Sequence, residues 1–299
     1  MTTAAPSMAY RQCYVSTQEG LRLSYRDYGT PERHRPAILC LPGLTRNARD
    51  FEDLACSLMT RWRVLSPEYR GRGLSAYDKD WRNYQPRTYV DDIRHLLAAT
   101  NVHRVVVIGT SLGGLLAMAM TAAMPTVLAG AVLNDIGPTI EGAGLVRIRQ
   151  YIAALQPVRD WDAAARQLAK AIPDWPAGNH QEWLDVARAT YRQHDDGWLR
   201  PDWDPAIARP FGRASGAAPP DLWALFRGLC RLPLLAVRGE RSDILSASTL
   251  SAMNTLAPSM RTVTVAGVGH APALKRPEER AAIEALLADV ESAERQRPA

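Results

Sequence analysis

Two hydrophobic periodicities alternate along the first half of the chain. Short runs rich in β-branched residues are separated by stretches whose apolar positions recur every three or four residues. "QCYVST" (12–17) and "LRLSYRDYG" (21–29) alternate polar and apolar residues around Glu19-Gly20, which predicts a hairpin. "PAILCLPG" (36–43) is continuously apolar, the pattern of a strand covered on both faces. A helical segment, "ARDFEDLACSLMT", then sets Phe51, Leu54, Ala55 and Leu58 on one side. After it come a strand in "RWRVLSP", a glycine-rich turn "EYRGRGLS" and a helix through "TYVDDIRHLLAAT". "RVVVIG" (strand), a helix after Ser111 and "LAGAVLND" (strand) complete this half. Strands alternating with helices imply parallel pairing through crossover helices, hence an α/β doubly wound sheet with an antiparallel hairpin at its front.

The rhythm breaks after Asp135. From Gly137 to about Arg227 no good strand appears, and Trp161, Trp175, Trp183, Trp198, Trp203 and Trp223 all fall there. "GLVRIRQYIAAL", "WDAAARQLAKAI" and "QEWLDVARATYRQH" read as helices separated by proline and glycine. Strands resume with "LPLLAVRGE" and "MRTVTVAGVGH", and the chain closes on the helix "RPEERAAIEALLADVESA". The expected organisation is one mostly parallel, eight-stranded core from residues 1–136 and 228–299, with a helical cap, 137–227, inserted after the sixth strand.

Composition narrows the function. The formal net charge of +5 invites a nucleic-acid partner, but the arginines are scattered among acids and form no basic stripe. Cys13, Cys40, Cys56 and Cys230 have no short paired spacing, which argues against a structural zinc site and offers no disulfide framework. The first residues lack the apolar core of a signal peptide, and Leu112 to Met120 is too short to span a bilayer. The expectation is a cytoplasmic protein acting on a small molecule, without nucleic acid or membrane as partner.

Chemistry enters at "VVVIGTSLGG". Gly109-Thr110-Ser111-Leu112-Gly113 fits G-x-S-x-G between a buried strand and a helix, the context that motif requires. A serine there stands at the C-terminal edge of the sheet, where open α/β folds bind ligands, and the following helix N-terminus points N–H groups at the same spot. A capping serine would satisfy the same local pattern, so a nucleophile needs its companions. Of six histidines, His34 lies in a polar loop, His95 within a helix, His103 at the wrong sheet edge, and His180 and His194 in the insertion. His270, in the glycine-flanked loop after the last strand, is the candidate base. Two carboxylates lie between serine and histidine at the right edge. Asp243, four residues beyond Gly239, is favoured because a triad acid usually follows the strand preceding the histidine strand; Asp135 is the alternative, and it would equally suit the turn toward Pro138. "LCLPGLTRN" supplies the Leu44 N–H as an oxyanion donor beside that of Leu112.

Five segments in order, "LPGLTRN", "PEYRGRGLS", "GTSLGG", "RGERSD" and "GVGHAP", resemble the α/β-hydrolase superfamily, in its cap-bearing serine-hydrolase branch, over about residues 12 to 292. Two positions depart: many members have His-Gly where this chain has Pro42-Gly43, and Asp where it has Glu68. Dehalogenases and epoxide hydrolases of the superfamily carry aspartate at the nucleophile position, so Ser111 disfavours those activities. The resemblance implies a cofactor-free, metal-free Ser-His-Asp hydrolase of a carboxylic ester or lactone. "LPGLTRNARDFEDLA" is similar to the access loop of enol-lactonase-like members. The alternatives are a C–C bond hydrolase of ring-fission diketones, which uses the same triad, and a non-catalytic ligand-binding protein. In the cap, Arg147, Tyr151 and Trp198 are the candidate contacts for a partly apolar substrate; an arginine there would meet a carboxylate.

Overall fold

A computed structural model describes residues 9–32, 35–173, 175, 178–212 and 221–297. Eight of its strands form one sheet: β1 (Arg11–Ser16), β2 (Arg22–Tyr28), β3 (Ala37–Leu41), β4 (Val64–Pro67), β5 (Val105–Thr110), β6 (Leu128–Asn134), β9 (Leu234–Gly239) and β10 (Arg261–Val265). Their order is β1-β2-β4-β3-β5-β6-β9-β10. β1 and β2 are antiparallel, β2 is antiparallel to β4, and every other pairing is parallel. The expected α/β architecture is therefore present, and β6 lies at the middle of its parallel part.

Period-two alternation divides the central strands between two cores. Leu39, Leu41, Val105, Val107 and Leu133 face one side, where α2 (Pro86–Ala99), α3 (Leu112–Ala123), α7 (Leu222–Leu229) and α8 (Ala247–Leu256) contribute residues such as Ile93, Leu116, Phe226 and Met253. Ile38, Cys40, Val106, Ile108 and Val132 face the other, against Leu54 and Leu58 of α1 (Glu52–Leu58) and Ile283, Leu286 and Val290 of α9 (Pro277–Arg295). Both faces are covered, which is why these strands read as unbroken apolar runs.

Between β6 and α7 lie α4 (Gly142–Ala154), α5 (Trp161–Ala171) and α6 (His180–Thr190). The segment also contains what the hydrophobic pattern missed: an antiparallel pair, β7 (Tyr191–Gln193) and β8 (Leu199–Pro201). These strands are three residues each, too short for alternation to register, and a turn at Gly197 joins them. α7, within which the expected cap boundary falls, packs on the sheet domain: Thr121 of α3 donates to Leu225 O at 3.1 Å.

The insert is tied down at its β7–β8 end. Buried Asp202 accepts from Arg49 at 2.6 Å and from Arg192 at 2.5 Å. Gly73 N donates to Asp202 O at 3.1 Å and Asp204 N to Gly71 O at 2.7 Å, while the Tyr84 hydroxyl donates to Asp204 at 2.5 Å. Charges this deep are tolerable because each has a partner, and they fix one end of the insert over the loops that follow β3 and β4.

Candidate active site

Ser111 occupies the turn between β5 and α3 with φ +52° and ψ −111°, a conformation that non-glycine residues rarely adopt. Its surroundings hold it there. A Cβ on Gly109 would overlap the Gly113 backbone, and one on Gly113 would overlap the Leu41 carbonyl of β3. Strand, turn and helix approach as closely as they do because both flanking residues are glycine. Ser111 N donates to Asn134 O at 2.9 Å, so the end of β6 also grips the turn.

His270 reaches the site from the loop after β10. Asn134 Nδ2 donates to Pro272 O at 2.9 Å and holds that loop against β6. Gly239, at the end of β9, leaves room for the Gly269 carbonyl to cross above it. The loop thus passes over β9 and delivers the imidazole between β5 and β6. His270 Nε2 lies 2.9 Å from Ser111 Oγ, and Nδ1 lies 2.7 Å from Asp135 Oδ2.

The carboxylate facing His270 is therefore that of Asp135, and the preference for Asp243 is corrected. Asp135 is fully buried at the end of β6, with φ +57°. Besides the histidine it accepts from Gly239 N at 2.7 Å and from Ser242 Oγ at 2.6 Å. Asp243 points elsewhere, forming a two-bond pair with Arg147 of α4 at 2.6 and 2.8 Å. Burial works against its ionisation, yet Arg147 outweighs this and holds the carboxyl below its usual range. The physical reason is register. Thr110 of β5 pairs with Asn134 of β6, so residue 135 leaves the sheet beside Ser111, whereas Asp243 lies one strand further away. Ser242 and Asn134, which brace this arrangement, were not anticipated; an Asn-Asp pair ending a central strand was the available signal.

The remaining candidates separate. Gly43 sits against Ser111, with its would-be Cβ 3.9 Å from the serine Cβ. Gly43 O accepts from Arg46 N at 3.1 Å, which turns the Leu44 N–H to the opposite edge of that peptide. The loop is braced from below, where the Tyr69 hydroxyl donates to Pro42 O at 3.1 Å and buried Arg72 Nε donates to Leu44 O at 2.8 Å. Leu112 N opens α3. Among the described residues neither the Leu44 nor the Leu112 amide has an acceptor in the protein. A cavity of about 550 Å³ opens over Ser111 and His270, and Arg147, Tyr151 and Trp175 of the insert share its wall. Burial raises the Tyr151 phenol above its ordinary range, keeping it a neutral hydrogen-bonding group. Trp198 does not reach this cavity. It lies in the β7–β8 turn under Arg159, 3.7 Å from its ring centroid, and the expectation that it contacts substrate is withdrawn. Of the other histidines, His34 lies outside the described residues.

The model of the alpha/beta hydrolase family matches residues 38–283. The chain belongs to this family. Across 287 residues it is 30% identical to the 3-hydroxybutyrate-oligomer hydrolase of Cupriavidus necator, covering 93% of this chain and 96% of that protein. It is also 30% identical over 236 residues to the 2-(acetamidomethylene)succinate hydrolase of Mesorhizobium japonicum, covering 79% and 81%. Among solved structures, an alpha/beta hydrolase from Novosphingobium aromaticivorans superposes with a TM-score of 0.87 at 47% identity, over 94% of this chain and 99% of that one. The protein is thus a hydrolase on the alpha/beta hydrolase fold. Among the described residues no helix is long and apolar enough to cross a membrane.

Proposed function

We propose that this hydrolase cleaves a carboxylic ester through an acyl-enzyme on Ser111. The observation that carries the reading is the unbroken hydrogen-bonded chain from Ser111 and His270, which line the cavity, to buried Asp135, 2.9 and 2.7 Å long at its two links. Ser111 Oγ attacks the ester carbonyl carbon while His270 Nε2 takes the hydroxyl proton. Asp135 holds the imidazole with its proton on Nδ1 and stabilises the imidazolium that forms. The Leu44 and Leu112 N–H groups receive the developing oxyanion. His270 then protonates the leaving alkoxide, and the same imidazole activates water to release the acid and restore Ser111.

The relative matched almost end to end is a hydrolase of 3-hydroxybutyrate oligomers, which supports an ester between hydroxy acids as the substrate class. The cavity wall agrees in character, combining apolar Leu44, Ile148, Ile172 and Val186 with several cations. The test pairs wild type with Ser111→Ala. A fluorophosphonate should leave one adduct on wild type and none on the variant, read by intact mass. A panel of linear hydroxy-acid esters, lactones and a ring-fission diketone follows. Turnover of the diketone without any ester or lactone would overturn the proposal.

A further inference from the structure

Six cationic side chains line the cavity among the described residues, and their partners differ. Arg46 is met by Asp50 through two hydrogen bonds at 2.7 and 2.6 Å. Arg49 pairs with Asp202 at 2.6 Å, Arg147 with Asp243 at 2.6 Å and Lys275 with Asp53 at 2.6 Å. Arg276 lies 4.0 Å from Glu278 and donates to Ala266 O. Arg280, in the first turn of α9, has no carboxylate within 4.0 Å among the described residues. Its Nη1 donates to neutral acceptors on α1, Ser57 Oγ at 2.8 Å and Asp53 O at 3.5 Å. Of the acids whose charge reaches Arg280, Asp53 pairs with Lys275, buried Glu279 accepts from the Leu274 and Arg276 amides at 3.2 and 2.7 Å, and exposed Glu284 forms no ion pair with it. Burial, only partly offset by Asp53, Glu279, Cys40 and Glu284, makes the charge on Arg280 costlier than usual for an arginine.

Arg280 and Ser111 line the same cavity. Gly43, Leu44, Phe51, Leu54, His270 and Leu274 line it as well. Apolar Phe51, Leu54 and Leu274 share this lining with the guanidinium, a combination suited to an aliphatic chain that ends in a negative charge. We propose that Arg280 is a specificity-determining residue: it binds the terminal carboxylate of a linear ester substrate whose reacting carbonyl lies at Ser111. The inference rests on the ester-hydrolase reading and adds the charge and shape of the substrate. A guanidinium already fixed by Ser57 needs little reordering to accept a carboxylate through its remaining N–H groups.

The test compares a 3-hydroxy-acid dimer carrying a free terminal carboxylate with the same dimer as its methyl ester, on wild type, Arg280→Gln and Arg280→Lys. Wild type should favour the free acid about tenfold in kcat/KM, chiefly through KM. Arg280→Gln should remove that preference while leaving kcat/KM for the methyl ester unchanged, and Arg280→Lys should keep part of it. Should Arg280→Gln fail to fold by thermal melt, raising ionic strength on wild type should raise KM for the free acid alone. No preference in a wild type that turns over the methyl ester would overturn this inference and leave the ester reading standing. A preference that survives Arg280→Gln and is lost in Arg147→Gln would move the carboxylate site to α4. Wild type that is inert toward both dimers but turns over other esters of the panel would overturn this inference alone; wild type inert toward every ester and lactone would overturn the ester reading, and this one with it.

Discussion

Replacing Asp135 by asparagine keeps the shape of the side chain and removes its charge, which isolates what the carboxylate does for His270. Asp135 accepts three hydrogen bonds, from Gly239 N at 2.7 Å, Ser242 Oγ at 2.6 Å and His270 Nδ1 at 2.7 Å. An amide has one acceptor atom and one donor atom. Gly239 N is a fixed backbone donor, so the new oxygen must stay on it, and the new NH2 then faces Ser242 and His270. Ser242 Oγ already accepts from the Ile244 and Leu245 amides at 3.2 and 3.0 Å and is a poor acceptor for it. His270 can accept at Nδ1 only by moving its proton to Nε2, the atom 2.9 Å from Ser111 Oγ that must take the serine proton. The wrong tautomer costs about 10⁴ in kcat in a Ser-His-Asp triad, or roughly 5.5 kcal/mol of barrier at about 1.36 kcal/mol per decade. Asp243→Asn should lower kcat by less than about tenfold, since its carboxylate contacts Arg147 rather than His270. The assay is kcat on a turned-over ester for both variants, with imidazole ¹⁵N shifts reporting the tautomer. A mild Asp135→Asn together with an Asp243→Asn that loses about 10³ or more would refute the reasoning.

Other expectations are simpler. Ser111→Ala should lower kcat by about 10³ or more with the fold retained, whereas Ser111→Gly should be equally inactive yet melt higher, because release of the φ +52° strain is worth about 1 kcal/mol. Gly113→Ala puts a methyl into the Leu41 carbonyl, so it should destabilise by about 3 kcal/mol or more and shift the denaturation midpoint accordingly. The Arg147–Asp243 pair carries a sign in pH. Asp243 titrates below its ordinary 3.8 in the folded protein, so the stability it contributes is present above that value and is lost as pH falls through the folded one. The melting difference between wild type and Arg147→Gln should therefore shrink below about pH 4; a constant difference would mean that the pair does not titrate with folding.

The hydrophobic pattern alone determined much of this molecule. Continuous apolar runs at 37–41, 105–108 and 128–133 need cover on both faces, and the helices between them supply it. Gly109, Ser111 and Gly113 announced the strained turn because the constraint is local, set by backbone overlaps within a few residues and with the adjoining strand. His270 was reached by elimination among six residues, each placed by its own element. The choice of acid was different in kind. Asp135 and Asp243 both follow a strand at the correct sheet edge, and the residues around each, the Asn134-Asp135 pair included, do not by themselves decide between them. What separates them is non-local: the Thr110–Asn134 register, the passage of the histidine loop over Gly239, and an arginine from the insert, 96 residues away in the chain, that claims Asp243. The same holds for Trp198, whose ring is occupied by Arg159, and for Arg280, whose guanidinium is held by Ser57 of α1 while Asp53 pairs with Lys275. Local propensity and periodicity fix elements; pairing between charges distant in sequence is decided only when the tertiary fold brings several acceptors within reach of one donor.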